Sequence, residues 1–132
     1  MAKREEFMEM KKKIFIVDDD IWIHKLITAA LPTDEFEIIH AYDGQDIVER
    51  SENEQPDLIL LDIMMPNGDG RDICRDIREN PKTKKIRILM LSAKSEHHER
   101  ITGLKLGADE YITKPFDPVS LPSMIKSMCR IK

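Results

Sequence analysis

Apolar and polar positions alternate between two textures along this chain. Short continuous apolar runs bounded by turn residues read as strands buried on both faces. Between them, apolar residues recur every three or four positions, which reads as amphipathic helix. Ile14-Phe15-Ile16-Val17 is the first strand and ends in Asp18-Asp19-Asp20. Ile23, Leu26, Ile27, Ala30 and Leu31 then predict a helix that Pro32 closes. Residues 36–42 predict a second strand, and its polar Glu37 and His40 place it at a sheet edge. Asp43-Gly44 turns into a weakly amphipathic helix carrying Ile47 and Val48. Leu58 to Leu61 run straight into Asp62, and the turn Pro66-Asn67-Gly68-Asp69-Gly70 follows.

The second half repeats the alternation. Gly70, Ile73, Cys74 and Ile77 form the stripe of a third helix, which stops before Pro81. Ile86 to Leu91 is the fourth strand and ends at Ser92. Ile101, Leu104 and Ala108 mark a fourth helix, with Gly107 at its C-terminal end. Tyr111-Ile112-Thr113 is a short fifth strand ending at Lys114-Pro115. Leu121, Met124, Ile125, Met128 and Cys129 stripe a fifth helix. An early start there would have Pro122 remove an internal hydrogen bond, so Ser120 is the expected cap. Five strands alternating with five helices predict an α/β fold: a doubly wound, five-stranded parallel sheet with right-handed crossovers. Ligands of such sheets bind beyond the carboxyl ends of the strands, where strand order reverses.

Composition narrows the class without changing that picture. The 132 residues form one domain (12–132) behind a charged N-terminal extension (1–11). A net charge of −4 implies no general attraction to nucleic acid or anionic membrane. No apolar run has the length of a membrane span, and no signal-peptide region opens the chain, so a cytoplasmic protein is expected. Cys74 and Cys129 lack any paired spacing and read as small core residues in a reducing compartment. The four histidines (His24, His40, His97 and His98) read as surface residues.

The candidate chemistry lies at the strand ends. Asp18 and Asp19, Asp62, Ser92 and Lys114 each follow an apolar run, so an open parallel sheet brings them to one edge. Singly, each is as well explained as a cap or turn former. Together, three carboxylates would repel unless a hard divalent cation and the lysine compensated them. Carboxylate, Mg²⁺ (or Mn²⁺), Lys and hydroxyl are the parts of a phosphoryl-transfer site.

These residues, with Met65, Pro66, Asp69 and Gly70, Ala93, Gly107-Ala108-Asp109 and the run from Tyr111 to Phe116, make the chain resemble the receiver domains of bacterial two-component response regulators. The resemblance covers about residues 12–131 and implies the flavodoxin-like strand order 2-1-3-4-5. It implies Asp62 as the acceptor of a phosphoryl group from a histidine kinase or a histidine phosphotransfer protein. Asp19, Asp62 and the Met64 carbonyl would ligate the metal, with Asp18 acting through water. Lys114 would pair with the phosphoryl group, and Pro115 would follow a cis bond. Ser92 and Tyr111 would be the switch pair, and the fourth helix, fifth strand and fifth helix the output face. That face would serve a downstream protein, an output domain missing from this chain or a phosphorylation-dependent dimer.

Two further expectations come from the residues themselves. Ile21 and Trp22 lie off the first helix's stripe beside the site, as a partner-docking pair would. Met64 and Lys94, two residues beyond Asp62 and Ser92, would hinder attacking water. Rival readings are a haloacid-dehalogenase-like phosphatase with Asp18 as nucleophile, and a receiver-like module that binds partners without being phosphorylated. The first leaves Asp62 and its turn unexplained. The second leaves the complete set of strand-end residues without a role.

Overall fold

The computed structural model describes residues 11–92, 106–114, 116–117 and 119–129. The N-terminal extension up to residue 10, most of the expected fourth helix, Lys94, His97, His98 and Pro115 lie outside the described residues. The sheet has five parallel strands: β1 (Lys12–Val17), β2 (Phe36–Ala41), β3 (Leu58–Asp62), β4 (Arg87–Ser92) and β5 (Glu110–Thr113). Their order is β2-β1-β3-β4-β5, as expected, with β2 at an edge. Helices α1 (Ile21–Ala30), α2 (Ile47–Glu54), α3 (Gly70–Glu79) and a C-terminal helix (Ser120–Cys129) join or follow the strands.

Strand periodicity sorts the core into two layers. Phe15, Val17, Ile59, Leu61, Ile88 and Met90 face one side, where Ile47, Ile73, Cys74 and Ile77 of α2 and α3 cover them. Ile14, Ile16, Leu58, Leu60, Leu89 and Leu91 face the other, against α1 and the C-terminal helix. Every residue of β3 is buried, so the central strand carries Asp62 to the rim of both layers. Cys74 and Cys129 are both buried and free.

Three local features differ from the sequence pattern. Beyond β3 the turn is a small antiparallel hairpin, Met64 opposite Asp69 and Met65 opposite Gly68. Gly44 after β2 presses on its Gly68, and Gly44 N–H donates to Pro66 O at 3.0 Å. The C-terminal helix starts with Ser120 as its first residue, not its cap. Asp117 braces that start from outside the helix: its carboxylate accepts from Val119 N–H (2.8 Å) and the Ser120 hydroxyl (3.1 Å). Pro122 thereby stays in the first turn, where its missing N–H costs little. Finally, Arg78 of α3 ties down the approach to β5, donating to Gly107 O (2.7 Å) and Lys84 O (3.0 Å) and pairing with Asp109 (2.8 Å). Gly107 has the left-handed backbone (φ 111°) expected where a helix ends, and a side chain there would strike Arg78.

Gly70 explains why the turn ends in glycine. A Cβ at this position would collide with the main chain of Asp62 and Ile63, which has no room to yield. Gly70→Ala is therefore expected to destabilise the fold by about 3 kcal/mol, the upper range for forced overpacking, measured by urea denaturation.

Candidate phosphoryl-transfer site

The three consecutive aspartates after β1 take three different environments. Asp18 is fully buried, Asp19 is exposed and Asp20 caps α1, accepting from Trp22 N–H at 2.9 Å. Asp18 Oδ1 accepts from Asp20 N–H at 2.9 Å, closing a tight loop that leaves Asp19 pointing over the rim. Because β1 and β3 are neighbours with Val17 opposite Leu61, Asp18 meets Asp62 at the next register step. Carboxylate oxygens of Asp18, Asp19 and Asp62 lie within 4.8 Å of one another.

Lys114 follows β5 and reaches back across the strand ends. Its Nζ lies 2.8 Å from Asp18 Oδ2 and 3.5 Å from Asp62 Oδ1. Its own N–H donates to Ser92 O at 2.6 Å, which fixes the loop against β4. Ser92 is the buried last residue of β4, and Tyr111 is buried in the α2–α3 layer opposite Met90. The structure thus gathers Asp18, Asp19, Asp62 and Lys114, with Ser92 on the adjoining strand end. Met64 projects from the hairpin at 69% exposure, Pro66 forms its tip and Gly70 starts α3. Ile21 and Trp22 are exposed as expected, Trp22 at 73%, with Lys25 Nζ 5.1 Å from its ring centre.

The charges do not balance. One lysine faces three carboxylates, two of them buried. Burial and the Asp18 charge push the Asp62 carboxyl up to about 7, with Lys114 opposing and Asp19 adding to the rise. Burial works against the Lys114 ammonium, but Asp18 and then Asp62 hold it above its ordinary value. Asp18 Oδ2 accepts no aligned hydrogen bond, so its contact with Lys114 is an ion pair with acceptor capacity left over. An under-satisfied buried oxygen within a set of hard oxygen donors fits a small divalent cation.

Sequence reasoning missed one member of this neighbourhood. His24 is not a surface residue: it is 2% exposed, and His40 is half-buried. His24 Nε2–H donates to the Asp18 carbonyl at 2.7 Å, which leaves Nδ1 of the neutral ring to accept from His40 Nδ1–H at 2.7 Å. Burial, then His24, lowers the His40 pKa, favouring the neutral form of that ring. Tyr42 packs over the His24 ring with centres 4.3 Å apart. The available signal was position: His24 lies beside Ile23 and one turn before Ile27, on the flank of the apolar stripe. A buried polar residue was tolerable there because the Asp18 loop supplies an acceptor. His24→Phe would orphan that carbonyl and the His40 donor, so a loss of about 2 kcal/mol in urea denaturation is expected.

Comparison with known proteins agrees with this geometry. Residues 14–126 match the family model described as the response regulator receiver domain. The alkaline phosphatase synthesis transcriptional regulatory protein PhoP of Bacillus subtilis is 40% identical over 121 residues, covering 92% of this chain and 50% of PhoP. This chain therefore spans about half the length of the curated relatives it matches. The BeF3-activated receiver domain of DrrB, a Thermotoga maritima protein, superposes with a TM-score of 0.82 at 30% identity, covering 92% of this chain and all of that one. The chemotaxis response regulator CheY4 of Vibrio cholerae gives a TM-score of 0.81 at 26% identity, covering 89% and 98%. With the acidic cluster and its lysine at the carboxyl ends of a 2-1-3-4-5 sheet, the chain belongs to the response regulator receiver domain family.

Proposed function

We propose that Asp62 accepts a phosphoryl group from a phosphohistidine of a histidine kinase or a histidine phosphotransfer protein. The observation that carries this reading is the placement of Asp62, buried at the end of the central strand, against Lys114 and two further carboxylates. In the reaction the Asp62 carboxylate attacks phosphorus, the N–P bond breaks and an acyl phosphate forms. Lys114 pairs with the phosphoryl oxygens and Ser92 donates its hydroxyl to them. Asp19, Asp62 and the Met64 carbonyl would hold Mg²⁺ (or Mn²⁺), with Asp18 contributing through water, and the ion would supply charge neutralisation to the acceptor and the phosphoryl oxygens.

Phosphorylation adds about −1.5 to −2 charge at a site that already carries a compensating lysine. The Ser92 hydroxyl moves onto the phosphoryl oxygens and the Tyr111 ring, already buried, fills the space behind it, which carries the change to β5, the C-terminal helix and the expected fourth helix. The readout is a downstream protein, a phosphorylation-dependent dimer or, as the transcriptional regulator PhoP suggests, an output domain of a longer regulator. The chain acts as a cytoplasmic signalling acceptor rather than a multiple-turnover enzyme; among the described residues no helix is long and apolar enough to cross a membrane. Incubation with acetyl phosphate and Mg²⁺, followed by intact-mass measurement, tests the reading. One stoichiometric adduct supports it, whereas continuous phosphate release that needs Asp18 supports the phosphatase. No adduct from any donor supports the unphosphorylated binding module.

The kinase side docks on the exposed rim of Ile21 and Trp22 on α1. Trp22→Ala is expected to slow phosphotransfer from the kinase by about tenfold or more, a usual cost for a hot-spot aromatic. Acetyl phosphate should react at the unchanged rate. Equal slowing with both donors would refute the docking role.

A further inference from the structure

At the opposite end of the sheet, around the N-terminal ends of β1, β3 and β4, lies a cavity of about 470 Å³. Lys12, Lys82, Lys85 and Arg87 line it. Their side chains form no ion pair or hydrogen bond among the described residues. The cationic residues nearby that do have partners make a contrast, since Lys13 pairs with Glu54 at 3.3 Å. Among the described residues Asp57 is the one acid in the lining, and its Oδ2 already accepts from Lys13 N–H at 2.8 Å. Among those residues, four cations against one engaged carboxylate leave a net charge of +3 in a chain whose total is −4. Unpartnered like charges around one concavity repel each other, and a bound polyanion removes the repulsion.

Part of the lining has the other character. Pro56, Pro81 and Ile86 are apolar, and Cys129 adds a buried thiol. A volume of this size lies within the usual range for small-molecule sites, about 300 to 1,000 Å³. Cations beside apolar residues in one lining match an organic polyphosphate, with its flat body on the apolar residues and its phosphates on the cations. We propose that this cavity binds a nucleoside diphosphate or triphosphate. It lies one strand length from Asp62, about 17 Å, so it is separate from the phosphoryl-transfer site.

Titration of isotope-labelled protein by NMR tests this, with the metal chelated to keep nucleotide away from the acidic cluster. ADP is expected to give saturable shifts at residues 55–57 and 85–87. Pyrophosphate should bind at the same place at least tenfold more weakly, and adenosine should not bind. ADP affinity should fall severalfold as ionic strength rises from about 0.05 to 0.3 M. The double substitution Lys85→Gln, Arg87→Gln should weaken ADP at least tenfold while leaving phosphoryl uptake from acetyl phosphate unchanged. Absent shifts, shifts confined to Asp18 and Asp62, or an unaltered double variant would each overturn the site. Equal affinity for pyrophosphate and ADP would overturn the nucleotide class.

Discussion

Asp62→Asn is expected to take up no phosphoryl group from acetyl phosphate and Mg²⁺, under conditions where the wild-type chain gains one. The amide has no anionic oxygen to attack phosphorus, and no other carboxylate can substitute. Asp18 is buried with Oδ1 committed to Asp20 N–H and Oδ2 against Lys114, and Asp19 is exposed beyond the lysine's contacts. Two companion variants give the result its resolution. Lys114→Gln keeps the nucleophile but removes the cation beside Asp62, and uptake should slow on the order of 10²-fold, as for loss of one charge-stabilising donor. Asp18→Asn should raise the Mg²⁺ concentration required without abolishing the adduct. An adduct of undiminished yield on Asp62→Asn would overturn the assignment, and complete loss in Asp18→Asn alone would transfer the nucleophile there.

The same substitution is expected to stabilise the metal-free protein, most strongly above neutral pH. Burial and the neighbouring Asp18 raise the Asp62 pKa from 3.8 to about 7, so the folded state holds a proton that the unfolded chain has released. Between those values the folded state binds more protons, and stability therefore falls as pH rises from about 4 to 7. A shift of that size corresponds to about 4 kcal/mol at most, since rearrangement of exposed Asp19 absorbs part of it. Asn at position 62 cannot ionise. In chelator, Asp62→Asn should exceed wild type by about 2 to 4 kcal/mol at pH 8 and by less than half of that at pH 5, by urea denaturation. Added Mg²⁺ should stabilise the wild type through binding to the folded state, closing the gap at pH 8. A difference that does not vary with pH would show that Asp62 is ionised throughout.

Much of this protein is readable from local pattern because two-sided burial leaves a strong mark. The runs 14–17 and 58–61 are continuous in apolar residues because helices cover both faces of the strands, and both lie inside the observed strands. Asp62 stood out as a carboxylate at the end of such a run; alternation of strand and helix brought it to one sheet edge with Asp18, and the resemblance to receiver domains implied the strand order that makes them neighbours. The misses share one cause. His24 looked exposed because pattern assigns polar residues to the surface, yet its two nitrogens find partners from Asp18, six residues back, and His40, sixteen residues on. Arg78 drew no reading from the sequence at all, although its guanidinium joins Gly107 and Asp109 across the fold. Satisfaction of a polar group by distant partners leaves no local periodicity.

The sequence by itself determined the class of fold, the order of its elements, the edge at which the site lies and the residue types that meet there. These follow from short-range facts: which positions are apolar, where chain direction breaks, and the handedness of parallel crossovers. Only the tertiary structure decided how the three adjacent aspartates divide into a buried carboxyl, an exposed carboxyl and a helix cap. It alone showed that Asp62 is desolvated enough to titrate near neutrality, and that four cations without a side-chain partner among the described residues surround a cavity at the far end of the sheet. Burial, charge balance and ion pairing depend on every neighbour in space, most of them distant in the chain, so they exist only once the sheet has assembled.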